Sequence, residues 1–239
     1  MIKGGKSVYG AAVGILMLEA RFPRILGDMG NAGTWGFPVL YKVVRDASPD
    51  RVVRQGAKGL LDAFRSAAQE LQADGVDGIT TNCGFLSIFQ DELSAAVDIP
   101  VLTSSLMQLP TINALLPSSR RAGILTVSRS SLTEAHLAAA RVPEGTPIGT
   151  TECRAHFTEA ILGNSPELDP AAAEADNVAA AEDLVAEHPD TGAIVLECTN
   201  MTPYAAAVRS ATGLPVFSQV SFVNWFQSAL SPPDWPRRT

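Results

Sequence analysis

Short apolar runs alternate with longer stretches of helical period along this chain. Residues 8–18 run apolar with only small residues between, which predicts a first buried strand. From 49 to 73 the positions Val52, Val53, Leu60, Leu61, Phe64 and Leu71 recur with a rough 3.6 period, which predicts a helical stretch. Further strands are predicted at 75–81, 100–104, 122–127, 147–151, 193–196 and 215–220. Helices are predicted at 86–96, 106–116, 130–140, 170–187, 204–211 and 222–230. Strand–helix alternation of this kind implies an α/β fold with parallel sheet and helices on its faces. The glycine-rich loop 27–38 is a candidate cover for a site.

The pattern also repeats. Cys83 precedes Pro100 by 17 residues (100 − 83), and Cys198 precedes Pro215 by the same 17 (215 − 198). Pro117 and Pro232 each follow their cysteine by 34 residues (117 − 83 and 232 − 198). "IPVLTSS" in the first copy corresponds to "LPVFSQV" in the second, and an apolar helix follows each. The inference is two similar parallel-sheet α/β domains related by a pseudo-twofold, with an active site in the cleft between them. No glycine or proline linker separates the copies, so tight packing is expected.

Composition narrows the class. The chain has 239 residues, 46% hydrophobic and 18% charged, which suits a globular protein with a substantial core. A net charge of −7 without long basic runs argues against nucleic-acid binding. No segment reaches the roughly 20 apolar residues that a membrane helix needs. The apolar run 10–18 is followed at once by Glu19, Arg21 and Arg24, without a small-residue cleavage site, so it reads as a strand rather than a leader. A cytoplasmic protein is expected, with no membrane partner and with a homo-oligomer, a dimer, as its assembly. The closing "RRT" reads as a short exposed tail. Three scattered cysteines do not make a disulfide framework.

Two of those cysteines carry the chemistry. "GITTNCGFLS" and "AIVLECTNMTPYA" each place a cysteine where a strand ends and a helix begins. Ligands of open parallel sheets bind beyond the carboxyl ends of strands, and the pseudo-twofold brings both ends to one cleft. A helix N-terminus beside each sulfur would favour the thiolate and lower a thiol pKa from near 8.5. Opposed thiols suit a two-base racemase: one takes a proton from the carbon next to a carboxylate, the other returns one on the opposite face. Backbone amides and the short polar residues Thr80, Thr81, Asn82, Thr199, Asn200 and Thr202 would stabilise the carbanion. A buried cysteine is ordinarily a small hydrophobe. That reading suits Cys153, which has no counterpart, whereas the matched positions of Cys83 and Cys198 favour chemistry. His136, His156 and His188 are dispersed and read as surface residues, so no metal site is expected. None of Lys3, Lys6, Lys42 and Lys58 stands in the context a pyridoxal-phosphate enzyme needs. Neither a phosphate-binding G-x-x-x-x-G-K loop nor a G-x-S-x-G serine motif is present.

"TTNCGF", "LECTNM" and the duplication resemble the aspartate/glutamate/hydantoin racemase superfamily over nearly the whole chain. "GDMGNAGTW" resembles the N-terminal substrate loop of aspartate racemases, and "AGILTVS" (122–128) the strand that opens the family's second domain. The resemblance implies a cofactor-independent enzyme acting on a small-molecule carboxylate, with Cys83 and Cys198 as the catalytic pair. It implies substrate-binding roles for Asn82, Gly84, Thr199 and Asn200, joined by Thr126 and Ser128. With the repeat, it implies a first domain of 1–104 plus 218–239 and a second of 105–217. Asn200 stands where glutamate racemases carry histidine, and the N-terminal Asp-Ser pair of those enzymes is absent. Arylmalonate decarboxylases keep only the second cysteine and maleate isomerases keep both. The expected activity is therefore a racemase or epimerase of a small amino-acid-like or carboxylate substrate. A maleate-isomerase-like or decarboxylase-like enzyme of the superfamily, or a non-catalytic small-ligand binder, stands as the alternative.

Overall fold

The structure, a computed structural model, describes residues 4–235; the closing Arg237–Thr239 tail lies outside the described residues. The first half comprises β1 (Val13–Leu18), β2 (Val39–Val44), α1 (Pro49–Val53), α2 (Leu61–Asp74), β3 (Gly78–Thr81), α3 (Gln90–Ser94) and β4 (Val101–Leu102). Next come α4 (Leu109–Leu115), β5 (Arg121–Thr126), α5 (Glu134–Ala139), β6 (Ile148–Thr150), α6 (Phe157–Leu162) and α7 (Pro170–Glu187). The chain ends with β7 (Thr191–Leu196), α8 (Ala205–Thr212), β8 (Val216–Phe217) and α9 (Gln219–Leu230).

Two four-stranded parallel sheets result, ordered β2-β1-β3-β4 and β6-β5-β7-β8. The expected pair of similar α/β halves is therefore present, and the repeat extends to register. Ile79 pairs with Val101 and Ile194 with Val216, an offset of 115 in both cases (194 − 79 and 216 − 101). The cysteines share that offset (198 − 83). All six residues of β1 are buried, as both faces of a parallel sheet require.

The halves interlock where the copies change over. Just after β4, Ser105 Oγ donates to the carbonyl of Leu196, on β7, at 2.7 Å. Just after β8, Gln219 Nε2 donates to Thr80 Oγ1, on β3, at 2.8 Å. α4 turns to the second sheet, where Asn113 Oδ1 accepts from the backbone of Ala122. α9 returns to the first, setting Val223 among Val13, Ile15 and Met17, and Phe226 and Leu230 against Gly78.

Several elements differ from the sequence reading for local reasons. The helix expected over 49–73 is broken between α1 and α2, because Gly56, Ala57 and Gly59 adopt positive φ (64°, 54° and 72°). Beyond the break, α2 keeps the predicted period, with Phe64, Ala67, Ala68 and Leu71 buried at i, i+3, i+4 and i+7. β2 and α6 have no counterpart in the expected pattern. β2 is a half-buried edge strand whose "VLYKVV" carries the β-branched and aromatic signal, although Lys42 interrupts it. α6 has only six residues, too few to show a period. α7 spans the predicted 170–187, with Asp169 accepting from the amides of Ala171 and Ala172 and Pro170 in the first turn. No helix among the described residues is long and apolar enough to cross a membrane.

Candidate active site

Each cysteine is the residue at which a strand turns into a 3-10 helix, Gly84–Phe89 after β3 and Thr199–Tyr204 after β7. Backbone bonds set the two turns in equivalent ways. The amide of Asn82 donates to Leu16 of β1, and the amide of Glu197 donates to Leu125 of β5. Asn82 and Glu197 are thus counterparts, each preceding its cysteine. The Asn82 side chain accepts from the amide of Leu18 at 2.8 Å, and its carbonyl accepts the Thr199 hydroxyl at 2.6 Å. That last bond joins the two cysteine turns directly.

Cys83 and Cys198 line one narrow pocket with Asn82, Gly84, Thr199 and Asn200. Leu18, Phe22, Pro49, Val53, Ile161 and Leu162 form its apolar wall, and Arg24 completes it. α1 from the first half meets α6 from the second across this wall. The free volume is about 20 Å³, room for about one water, so the pocket is tight and admitting a substrate requires its walls to move. A larger hollow of about 520 Å³ lies along α6, lined by His156, Glu159 and Asp169, and contains neither thiol.

The glycine-rich loop belongs to the site. Asp28, 3% exposed, accepts from Asn200 Nδ2 at 2.5 Å with one oxygen. Its other oxygen accepts from Arg24 Nη1 and from the amide of Gly30, at 2.8 and 2.7 Å. Asn200 Oδ1 in turn accepts from the Cys198 thiol at 3.6 Å. A continuous polar chain therefore runs from Arg24 to the second sulfur. The sequence points to the loop and to Asn200 but does not single out Asp28. Its one signal is an acidic residue amid glycines, beside the apolar Met29 and Trp35 that anchor the loop in the core.

Thr126 and Ser128, expected at the substrate, do not line this pocket. The Thr126 hydroxyl donates to Glu197 Oε2 at 2.7 Å, beneath the second cysteine turn. Ser128 faces a different cluster, donating to Glu152 Oε1 at 2.9 Å. His136, expected at the surface, is 2% exposed and packs edge-on to Phe85, because α5 lies against the first cysteine turn. Cys153, expected as a buried hydrophobe, is exposed in the turns between β6 and α6. Among the described residues no group of three or more His, Cys, Asp or Glu could hold a metal ion.

The electrostatics also correct an expectation. Burial pushes the Cys83 thiol up to about 12, and the charge of Glu197 adds to that. The amides of Phe85 and Leu86 and the Arg24 guanidinium act in the opposite sense but do not prevail. Cys198 is also pushed well up, by burial first, then by Glu197. The expected lowering at a helix N-terminus fails because desolvation of each buried sulfur outweighs the backbone amides that favour its thiolate. Glu197 is itself fully buried, and desolvation raises it to about 8 against the Thr126 hydrogen bond.

The family model described as Asp/Glu/Hydantoin racemase matches residues 45–224. The chain belongs to that family. Two curated relatives are similar along most of its length. Dimethylsulfoniopropionate lyase 7 of Emiliania huxleyi (strain CCMP1516) is 30% identical over 236 residues, covering 92% of this chain and 67% of that protein. The dimethylsulfoniopropionate lyase of Durusdinium sp. clade D is 28% identical over 233 residues, covering 90% and 74%. Among solved structures, a cysteine-substituted mutant of arylmalonate decarboxylase in its sulfate-associated form superposes with a TM-score of 0.63 at 18% identity, covering 91% of this chain and 92% of that one. Aspartate racemase of Picrophilus torridus gives 0.54 at 14% identity, covering 92% and 93%. These likenesses establish the two-domain α/β fold of the family. The sequence relatives are named lyases, so the isomerase activity expected from the motifs gives way to a broader statement: the family is one of enzymes that includes racemases.

Proposed function

We propose that this protein is a lyase that removes a proton next to a carboxylate and expels a leaving group from the neighbouring carbon, with dimethylsulfoniopropionate as its substrate type. The carrying observation is the pair of cysteine turns opening on one tight, largely apolar pocket, in a chain similar over 92% of its length to a named dimethylsulfoniopropionate lyase. The thiolate of one cysteine takes the proton, the C–H electron pair forms the carbon–carbon double bond, and the carbon–sulfur bond breaks. The products are acrylate, neutral dimethyl sulfide and a cysteine thiol that must lose its proton before the next turnover. Exclusion of water strengthens each polar contact to the developing carboxylate charge. Leu18, Phe22, Pro49, Val53, Ile161 and Leu162 offer the sulfonium methyl groups an apolar surface. The substrate-binding set in this reading is Asn82, Gly84, Thr199 and Asn200, supported by their place on the pocket wall. We assign 1–104 plus 218–239 to one domain and 105–217 to the other, a division supported by the crossings at Ser105 and Gln219.

Racemisation is the second reading, favoured by the presence of both cysteines. Its first step is the same proton removal, and it differs in returning a proton instead of losing a group. One experiment separates the two. Purified protein is given dimethylsulfoniopropionate, and dimethyl sulfide and acrylate are quantified; in parallel, α-deuteration in D₂O is followed for aspartate, glutamate and allantoin. Equal yields of sulfide and acrylate support the lyase. Deuteration with inversion, and no sulfide, would overturn it in favour of a racemase.

A further inference from the structure

Arg24 is only partly satisfied by the protein around it. Its Nη1 is bonded to Asp28 at 2.8 Å, and its guanidinium carbon lies 4.8 Å from the centre of the Phe22 ring. Its Nη2 is buried and has no hydrogen-bond partner among the described residues. A buried cationic donor left unbonded is costly, so proteins rarely retain one without a partner. Arg24 also lines the pocket that holds both thiols. The loop makes room for it: a methyl group on Gly30 would overlap Arg24 Cδ and stand 2.7 Å from Nε. Asp28 fixes the guanidinium relative to the second cysteine, because its other oxygen bonds Asn200, which accepts from Cys198.

We infer that Arg24 is the ligand for the substrate's carboxylate, through Nη2. A planar guanidinium fixed at one nitrogen and free at another suits a carboxylate oxygen, and its charge suits a monoanion. The same contact strengthens as the α-proton leaves and negative charge spreads onto the carboxylate. The face of Phe22 that Arg24 covers is closed to the substrate. The cationic end of a zwitterion therefore lies away from Arg24, toward Pro49, Val53, Ile161 and Leu162. The inference rests on the lyase reading only for that cationic end; the carboxylate contact serves any α-proton chemistry at this pocket.

The test is calorimetric binding of propionate and of propionamide to the full chain, alongside turnover of dimethylsulfoniopropionate. Wild type is expected to bind propionate and to discriminate against the uncharged amide. Arg24→Met should weaken propionate binding at least about tenfold, and Arg24→Lys, which keeps the charge without the fork, should lie between. Thermal unfolding of each variant reports whether it folds, and if Arg24→Met does not, Arg24→Lys and the wild-type preference for propionate over propionamide carry the test. Propionate binding equal in wild type and Arg24→Met, equal binding of acid and amide by wild type, or no Arg24-dependent propionate binding would each overturn the inference. Arg24-dependent propionate binding without sulfide release would leave it standing and refute the lyase.

Discussion

The backbone of Gly84 lies directly against the buried carboxyl group of Glu197, across the boundary between the two sheets. A methyl group on Gly84 would overlap both Oε1 and the carbonyl oxygen of Glu197 and stand 3.0 Å from Cδ. The residue after the first cysteine and the residue before the second are thus in contact, and the separation of the two turns depends on the absence of a side chain. Gly84→Ala is expected to push the turns apart, at a cost of about 1–3 kcal/mol, the usual range for overpacking a close contact. Because Gly84 also lines the pocket, turnover should fall as well. Urea unfolding and turnover measured together check this. A variant as stable and as active as wild type would show that the contact is not needed.

Burial separates the three thiols into classes. Cys153 is exposed, whereas Cys83 and Cys198 are 9% and 6% exposed in the tight pocket and are pushed toward the protonated form. Reaction with a thiol-specific disulfide reagent near neutral pH should therefore show one fast group in the native protein and three in denaturant. Cys153→Ser should remove the fast group. Three equally fast groups in the native protein would contradict the tight pocket.

The cysteines, their matched spacing and the parallel strands are legible because each leaves a short-range mark in the sequence. The 17-residue spacing becomes a shared strand register, and the asparagine and threonines beside the thiols are part of the turns. What stays hidden depends on the third dimension. Asp28 lies 172 residues from Asn200 (200 − 28), and nothing local says that a glycine-rich loop will carry it there. Glu197 looks like an ordinary charged residue in "LECTNM", and only the approach of Gly84 and Thr126 encloses it. The direction of the thiol shifts is hidden for the same reason: a helix end is visible in sequence, but the depth of its burial is not.

The two cysteines should be unequal if the reaction is an elimination. One base suffices to remove the α-proton, and the second thiol then serves only to shape the pocket. Serine keeps the size but is a poor base, and loss of a general base costs about 10²–10⁴-fold. Of Cys83→Ser and Cys198→Ser, one is expected to fall by that factor in sulfide release and the other by much less. A two-base racemase would lose racemisation in both variants alike. Single-turnover assays of the two variants decide between these outcomes.

Glu197 links the site to pH in a way that one substitution exposes. A thiol held above its ordinary value is protonated through neutrality, so its thiolate, and with it the rate, increases as pH rises. Glu197 ionises through about 8 and then adds negative charge beside both sulfurs, which opposes that increase. The wild-type rate should climb with pH and then bend over above about 8. Glu197→Gln keeps an acceptor for the Thr126 hydroxyl but cannot ionise, so its rate should continue to climb where wild type bends. Stability moves in a related sense. Between the ordinary 4.5 and about 8, unfolded wild type has released a proton that the folded protein retains. The unfolded state binds fewer protons there, so folding stability declines as pH rises across that window and levels off above it. The glutamine variant lacks this decline and should gain on wild type from pH 5 to pH 9, as urea unfolding at each pH would report. Parallel rate profiles, together with a stability difference that does not change with pH, would show that Glu197 is ionised throughout and does not act on the thiols through its proton.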